Sequence, residues 1–178
     1  MNNTQSDSYR ACRCGVAIVL SVLLSLSAAA DTKIAILDFE LNDLTLDPRR
    51  PEELERTDSV KPLLQEALAR KGGYDPIEIN SDAREKANGG FGYLFDHSDS
   101  AAALGKEFGA DWVLVGRVHK ASFLFVYFMA HLVDAHTHEL VADYIVEVKG
   151  PQRTLTIKGV ERLAEKVDKT IKAKHQSR

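Results

Sequence analysis

Apolar residues along this chain fall into short runs and helical stripes separated by breaker residues. Lys33 to Phe39 is a run of strand length, apolar on both faces, as in a central strand covered on both sides. Glu40 to Arg56 holds Asn42-Asp43, Asp47-Pro48 and Pro51 and reads as a long loop. Thr57 or Asp58 then caps a helix, with Pro62 in its first turn, one stripe formed by Val60, Leu63, Leu64, Ala67 and Leu68, and a stop at Gly72-Gly73. Tyr74 to Asn80 alternates like a second strand, with Ile77 and Ile79 on one face. Ser81 to Asn88 suits a short helix and Gly89-Gly90-Phe91-Gly92 a loop. Another helix runs from Ser98 or Asp99 to Phe108, with Gly109 as its stop, and Trp112 to Val118 returns to strand character.

The pattern then changes. Ser122 to Asp134 and Leu140 to Val148 are two strand-like runs joined through residues 135–139, which suits an antiparallel hairpin. Gly150-Pro151 breaks the chain, and Ile157, Val160, Leu163, Ala164, Val167 and Ile171 form the stripe of a final amphipathic helix. The order is strand, helix, strand, helix, three strands, helix, with no internal repeat. It predicts an α/β (mixed α+β) fold, a mixed sheet of about five strands with helices packed on it.

The first 30 residues differ from the rest. Arg10 and Arg13 precede an uncharged stretch from Gly15 to Ala30 that closes in Ala28-Ala29-Ala30, the outline of a cleaved secretory signal peptide. The stretch is short for a membrane-spanning helix. Cleavage after Ala30 leaves a single domain, residues 31–178, without cysteine, because Cys12 and Cys14 both precede the apolar stretch. A periplasmic address is therefore expected, with stability drawn from the core rather than from disulfides. Across 178 residues, 23 Lys and Arg face 26 Asp and Glu, which leaves no basic excess for a phosphate backbone and argues against nucleic acid as partner.

Candidate chemistry is sparse. Asp38 and Glu40 stand at the carboxyl end of the first strand, where open α/β sheets place ligands, so a crevice with Arg56 across the loop and the strand-flanking Asp111 is one candidate. The competing reading has Asp38 paired with a neighbouring strand end or with Arg117. His136 and His138 alternate and suit a metal only with a third ligand from elsewhere. The glycine cluster lacks the Walker lysine and the dinucleotide spacing, and Gly-x-Ser-x-Gly, His-Glu-x-x-His and Cys-x-x-Cys are absent, so no cofactor and no catalytic residue is assigned. Ser122 to Met129 is the most hydrophobic segment after the leader. As a strand it puts Phe123, Phe125 and Tyr127 on one face and Leu124, Val126 and Phe128 on the other. Both faces are expected to be covered; a bare one is a partner or dimer surface, with Arg117, Lys120 and Ser122 as its polar rim.

Leu37-Asp38-Phe39-Glu40, Arg56, Leu104-Gly105, Phe108-Gly109-Ala110-Asp111 running into Val115 to Ser122, Val133 to Thr137 and Val148-Lys149-Gly150 resemble a family of small secreted bacterial proteins known only as a domain of unknown function. More distantly, the first strand ending in Asp-Phe and the Gly-Ala-Asp before a later strand are similar to the N-terminal domain of TolB and the periplasmic domain of CsgG. The resemblance implies an envelope interaction or assembly module rather than an enzyme. An association with periplasmic quinoprotein alcohol or methanol oxidation implies an accessory role, and a homodimer is a further possibility. The chain departs from the family pattern at Phe123, where Asn is common, and at Leu155 and Thr156, where Ser-Trp is common, so an activity carried by those residues is absent here. The alternative is a small-ligand or metal-binding protein using the crevice near Asp38 and Glu40.

Overall fold

A computed structural model describes residues 31–150 and 152–177; the segment expected to be a leader, with Cys12 and Cys14, lies outside the described residues. The elements are β1 (Thr32–Ile36), β2 (Glu40–Asp43), α1 (Pro51–Lys71), β3 (Tyr74–Ile77), α2 (Ser81–Ala87), α3 (Tyr93–Asp96), α4 (Ser98–Glu107), β4 (Trp112–Lys120), β5 (Phe125–Asp134), β6 (Leu140–Lys149) and α5 (Arg153–Gln176). One mixed sheet runs β3-β1-β4-β5-β6, and β2 pairs with β4 beyond the end of β1. The β3-β1-β4 and β2-β4 pairs are parallel, and β4-β5-β6 is an antiparallel meander. The mixed α+β class is as the periodicity implied, with short additional elements.

The two faces of the sheet are covered unequally. On one, α1 and α5 lay Val60, Leu64, Leu68, Val160, Leu163, Val167 and Ile171 onto Ile34, Leu114, Val126, Phe128 and Val146, forming the main core. On the other, α3 and α4 cover the start of β4 and the end of β5 through Leu94, Phe95, Ala102 and Leu104 against Val113, Val115 and Val133. α3 reaches as far as Arg117 through Phe95 and Asp96, and beyond Arg117 the described residues place no helix on that second face.

Three expectations need correction. Residues 40–56 are not one loop. Leu41 packs against the main core and draws Glu40–Asp43 into register with Arg117–Lys120. Asp43 then organises the turn by accepting from the Thr45 N–H and hydroxyl and from the Arg49 N–H. The helix starts at Pro51 rather than at Thr57, because proline is pre-set for a first helical position and Glu52 and Glu53 complement the dipole there. Pro62 is therefore interior, and the Thr57 hydroxyl donates to the Glu53 carbonyl instead of capping. The aromatic strand begins at Phe125, so Phe123 and Leu124 lie in the β4–β5 turn and the segment is not covered on both faces.

Candidate functional site

The uncovered face is laid out by the register of three long strands. Arg117 stands opposite Met129, which stands opposite Ile145; His119 is opposite Tyr127, which is opposite Glu147; and Phe125 is opposite Lys149. All project from the face that α3 and α4 leave open. Ile145 is 55% exposed and Phe125 43%. Arg117 is held flat at the margin, its guanidinium carbon 3.8 Å from the centre of the Phe95 ring and its Nη2 3.4 Å from Asp96. On the ring's partner side His131 stacks at 3.8 Å and its Nδ1 donates to the Phe95 carbonyl. Asn42 holds His119 from β2, amide to Nδ1 at 3.1 Å. The face is thus apolar in its middle and rigid at its polar edge.

At the end of this face the β4–β5 turn presents Phe123 and Leu124 at 58% and 68% exposure. The turn is built rather than loose. The Ser122 hydroxyl accepts from the N–H groups of Leu124 and Phe125, and the Leu124 carbonyl accepts from Gly150. Lys120 lies 5.5 Å from the centre of the Phe123 ring, a cation–π distance. Its ammonium belongs to a buried cluster, 3.3 Å from Asp43 and 3.4 Å from Glu53, and Glu53 in turn accepts from Arg56 Nη1 at 3.2 Å. Burial pushes Asp43 up, but the bonds from Thr45 and Lys120 outweigh it and hold its carboxyl below the ordinary range. Burial also lowers the pKa of Arg56 against the opposing pull of Glu53.

The predicted crevice residues do not converge. Asp38 and Glu40 line a small cleft of about 60 Å³ with Arg84 and Asn88. Asp38 is engaged by Arg84 and Lys61, and Glu40 accepts the Gly92 N–H at 2.6 Å. Arg56 belongs to the buried cluster, on the main-core side. Asp111 sits at the start of β4, accepting from the Lys33 N–H and facing His136 Nε2 at 3.0 Å. Asp38 does not pair with Arg117, whose acidic partner is Asp96. His136 and His138 gain no third ligand: among the described residues, no group of three His, Cys, Asp or Glu side chains is placed to hold a metal. Of the predicted partner-surface residues, Arg117, Ser122, Phe123, Phe125 and Tyr127 share the open face and its turn, whereas Lys120 is buried beneath it. Leu124, Met129 and Ile145 were not anticipated there. Strand alternation gives Met129 and Ile145 a face, but only the placement of α3 and α4 shows that face to be bare.

The chain belongs to the family described as "Protein of unknown function (DUF2380)", whose profile matches residues 32–167. No curated protein sequence matches it. Among solved structures it is similar to the PelC dodecamer from Paraburkholderia phytofirmans, with 15% identity, 75% of this chain and 81% of that one covered, and a TM-score of 0.46. It is similar to the LpoB C-terminal domain from Salmonella enterica, with 15% identity, 74% and 93% covered, and a TM-score of 0.45. TolB from Acinetobacter baumannii also matches, with 16% identity, 79% of this chain but 27% of TolB covered, and a TM-score of 0.47. Among the described residues no helix is long and apolar enough to cross a membrane.

Proposed function

We propose that this protein is a non-catalytic, partner-binding module of the bacterial envelope, and that its partner is another protein docked on the β4–β5 turn and the adjoining open sheet face. The observation that carries the reading is the consecutive exposure of Phe123, Leu124 and Phe125 on a turn fixed by Ser122 and Gly150. Ordered aromatic side chains that stay in water lose little conformational entropy on binding, and aromatic residues, Met and Arg are the types enriched in interface cores. Phe125, Tyr127, Met129 and Arg117 provide that composition in one continuous patch. The periplasmic address and a role in envelope assembly or in a periplasmic quinoprotein alcohol-oxidation system are the finer form of the reading; their support is the leader sequence and the family resemblance. A small-ligand site at Asp38 and Glu40 is disfavoured, because Arg84, Lys61 and the Gly92 N–H already occupy both carboxylates.

The test is affinity capture from envelope extract with C-terminally tagged protein, compared with Phe125→Asp and with Leu46→Asp, a change at a fully exposed leucine elsewhere. A partner retained by the wild type and by Leu46→Asp but lost by Phe125→Asp supports the reading. A partner kept by Phe125→Asp, or none from an extract that supplies partners to control baits, overturns it.

A further inference from the structure

Arg56 is 6% exposed and uses only part of its guanidinium. Nη1 donates to Glu53, whereas Nε and Nη2 are buried without a protein partner. Those two nitrogens form the side-on edge of the group, whose parallel N–H bonds match the paired oxygens of a carboxylate. Arg56 lines a cleft of about 160 Å³ together with Glu52, Glu55, Ser59, Arg153 and Thr156. Thr156 is 2% exposed, and its hydroxyl also lacks a protein partner. The cleft lies at the first turn of α5, which has no side-chain cap and no acidic residue. The Leu155 and Thr156 N–H groups bond back to the Gln152 carbonyl, which leaves the Arg153 and Thr154 N–H groups and the positive end of the dipole without an acidic side chain to offset them.

Charge decides the class of ligand. Arg56 is shared with Glu53, and Glu52 is held by Arg50, so Arg153 is the cation of the cleft not paired within it, and Glu55 stands beside it. Such a balance tolerates one negative charge and opposes two, which favours a carboxylate over a phosphate. We propose that this cleft is a carboxylate-binding site, with the free edge of Arg56, the Thr156 hydroxyl and the first turn of α5 as donors and Arg153 as the rim cation. Its ligand is a small free acid or the terminal carboxylate of a peptide. The site is separate from the aromatic turn and does not depend on the partner-binding reading.

The test is a titration of ¹⁵N-labelled full-length protein with sodium acetate, with inorganic phosphate, and with a short peptide carrying a free or an amidated C-terminus, at ionic strength held constant with sodium chloride. Acetate is expected to shift the Arg56 Nε–H and the Arg153 and Thr154 amides saturably, with affinity of roughly 1 mM. Arg153→Gln and Thr156→Val should each weaken it about tenfold, the loss of one good polar contact, while the spectrum stays that of a folded protein. A free-ended peptide that binds more tightly than acetate, with its amide silent, identifies a chain terminus as the ligand; affinity no better than that of acetate identifies a free acid. The proposal is overturned if Arg56 responds to acetate and peptide no more than to chloride, so that the cleft holds only water. It is also overturned if phosphate binds more tightly than acetate, or if both variants bind acetate as the wild type does.

Discussion

The ammonium of Lys120 lies 3.3 Å from the Asp43 carboxylate, with the two side chains only 2% and 1% exposed. The contact ties the end of β4 to the end of β2, and through Glu53 to the first turn of α1. A buried ion pair adds little net stability against an apolar replacement of the whole set, but removing one member leaves the others charged and unpaired. Lys120→Met is therefore expected to cost about 3 kcal/mol, read as a lower urea midpoint with an unchanged slope. Adding Asp43→Asn to Lys120→Met should recover part of that loss, because Glu53 remains paired with the buried Arg56. A Lys120→Met protein as stable as wild type would show that the cluster is hydrated and weakly coupled.

Asp43 and Asp168 carry the same sign of pH dependence. Burial pushes each carboxyl up, but hydrogen bonds from Thr45 and Lys120 to Asp43, and from Lys172 and Tyr74 to Asp168, leave both below the ordinary value of 3.8. A carboxyl with a depressed folded-state pKa contributes stability that is present above its unfolded value and is lost as pH falls through the folded one. Stability should thus hold down to about pH 4 and fall below it. Asp43→Asn should be less stable than wild type at neutral pH, and the gap should close on acidification. A gap independent of pH between neutrality and strong acid would remove the electrostatic explanation.

Tyr74 gives the opposite limb. Burial, and then its bond to Asp168 at 2.7 Å, raise the phenol well above its ordinary 10.0. A raised folded-state pKa means that the unfolded chain releases its proton first, so stability begins to fall near pH 10 and continues to fall until the folded phenol ionises. Tyr74→Phe should lose stability at neutral pH, because it cuts the β3–α5 link, and should show a shallower alkaline decline. The decline should not vanish, because burial also raises Tyr144. Thermal unfolding across the alkaline range checks both slopes.

How much of this was legible in the sequence depends on whether a residue's partner is near it in the chain. The apolar run through Val126 to Leu132 and the stripe from Val160 to Ile171 mark β5 and α5, because the one is specified by its local composition and length and the other by its own period. β2 was not legible: Glu40-Leu41-Asn42-Asp43 has one apolar residue, and its strand form comes from pairing with Arg117–Lys120. The open face follows from where α3 and α4 stop, which no local pattern encodes. Lys120 read as a rim residue because Asp43, which pairs with it across 77 residues, lay in what looked like a loop. Arg56 and Thr156 share a cleft only because α1 and α5 pack side by side on the sheet.

That packing makes Gly159 a sensitive position. A Cβ there would lie 2.5 Å from Val148 Cγ2 and 2.9 Å from Phe128 Cε2. Alanine inside a helix is favoured over glycine by about 1 kcal/mol, so the outcome depends on whether these neighbours can yield. Val148 is β-branched and Phe128 is fully buried beneath α5, so neither side chain has a free direction. The strain of overpacking, about 1–3 kcal/mol, should therefore exceed the propensity gain, and Gly159→Ala should be destabilised. Adding Val148→Ala relieves the closer contact, so the double variant should be more stable than the two single losses predict when added together. Additive losses in that double-mutant cycle, measured by urea unfolding, would show that α5 shifts away from the sheet instead of being held against it by the contact at Gly159.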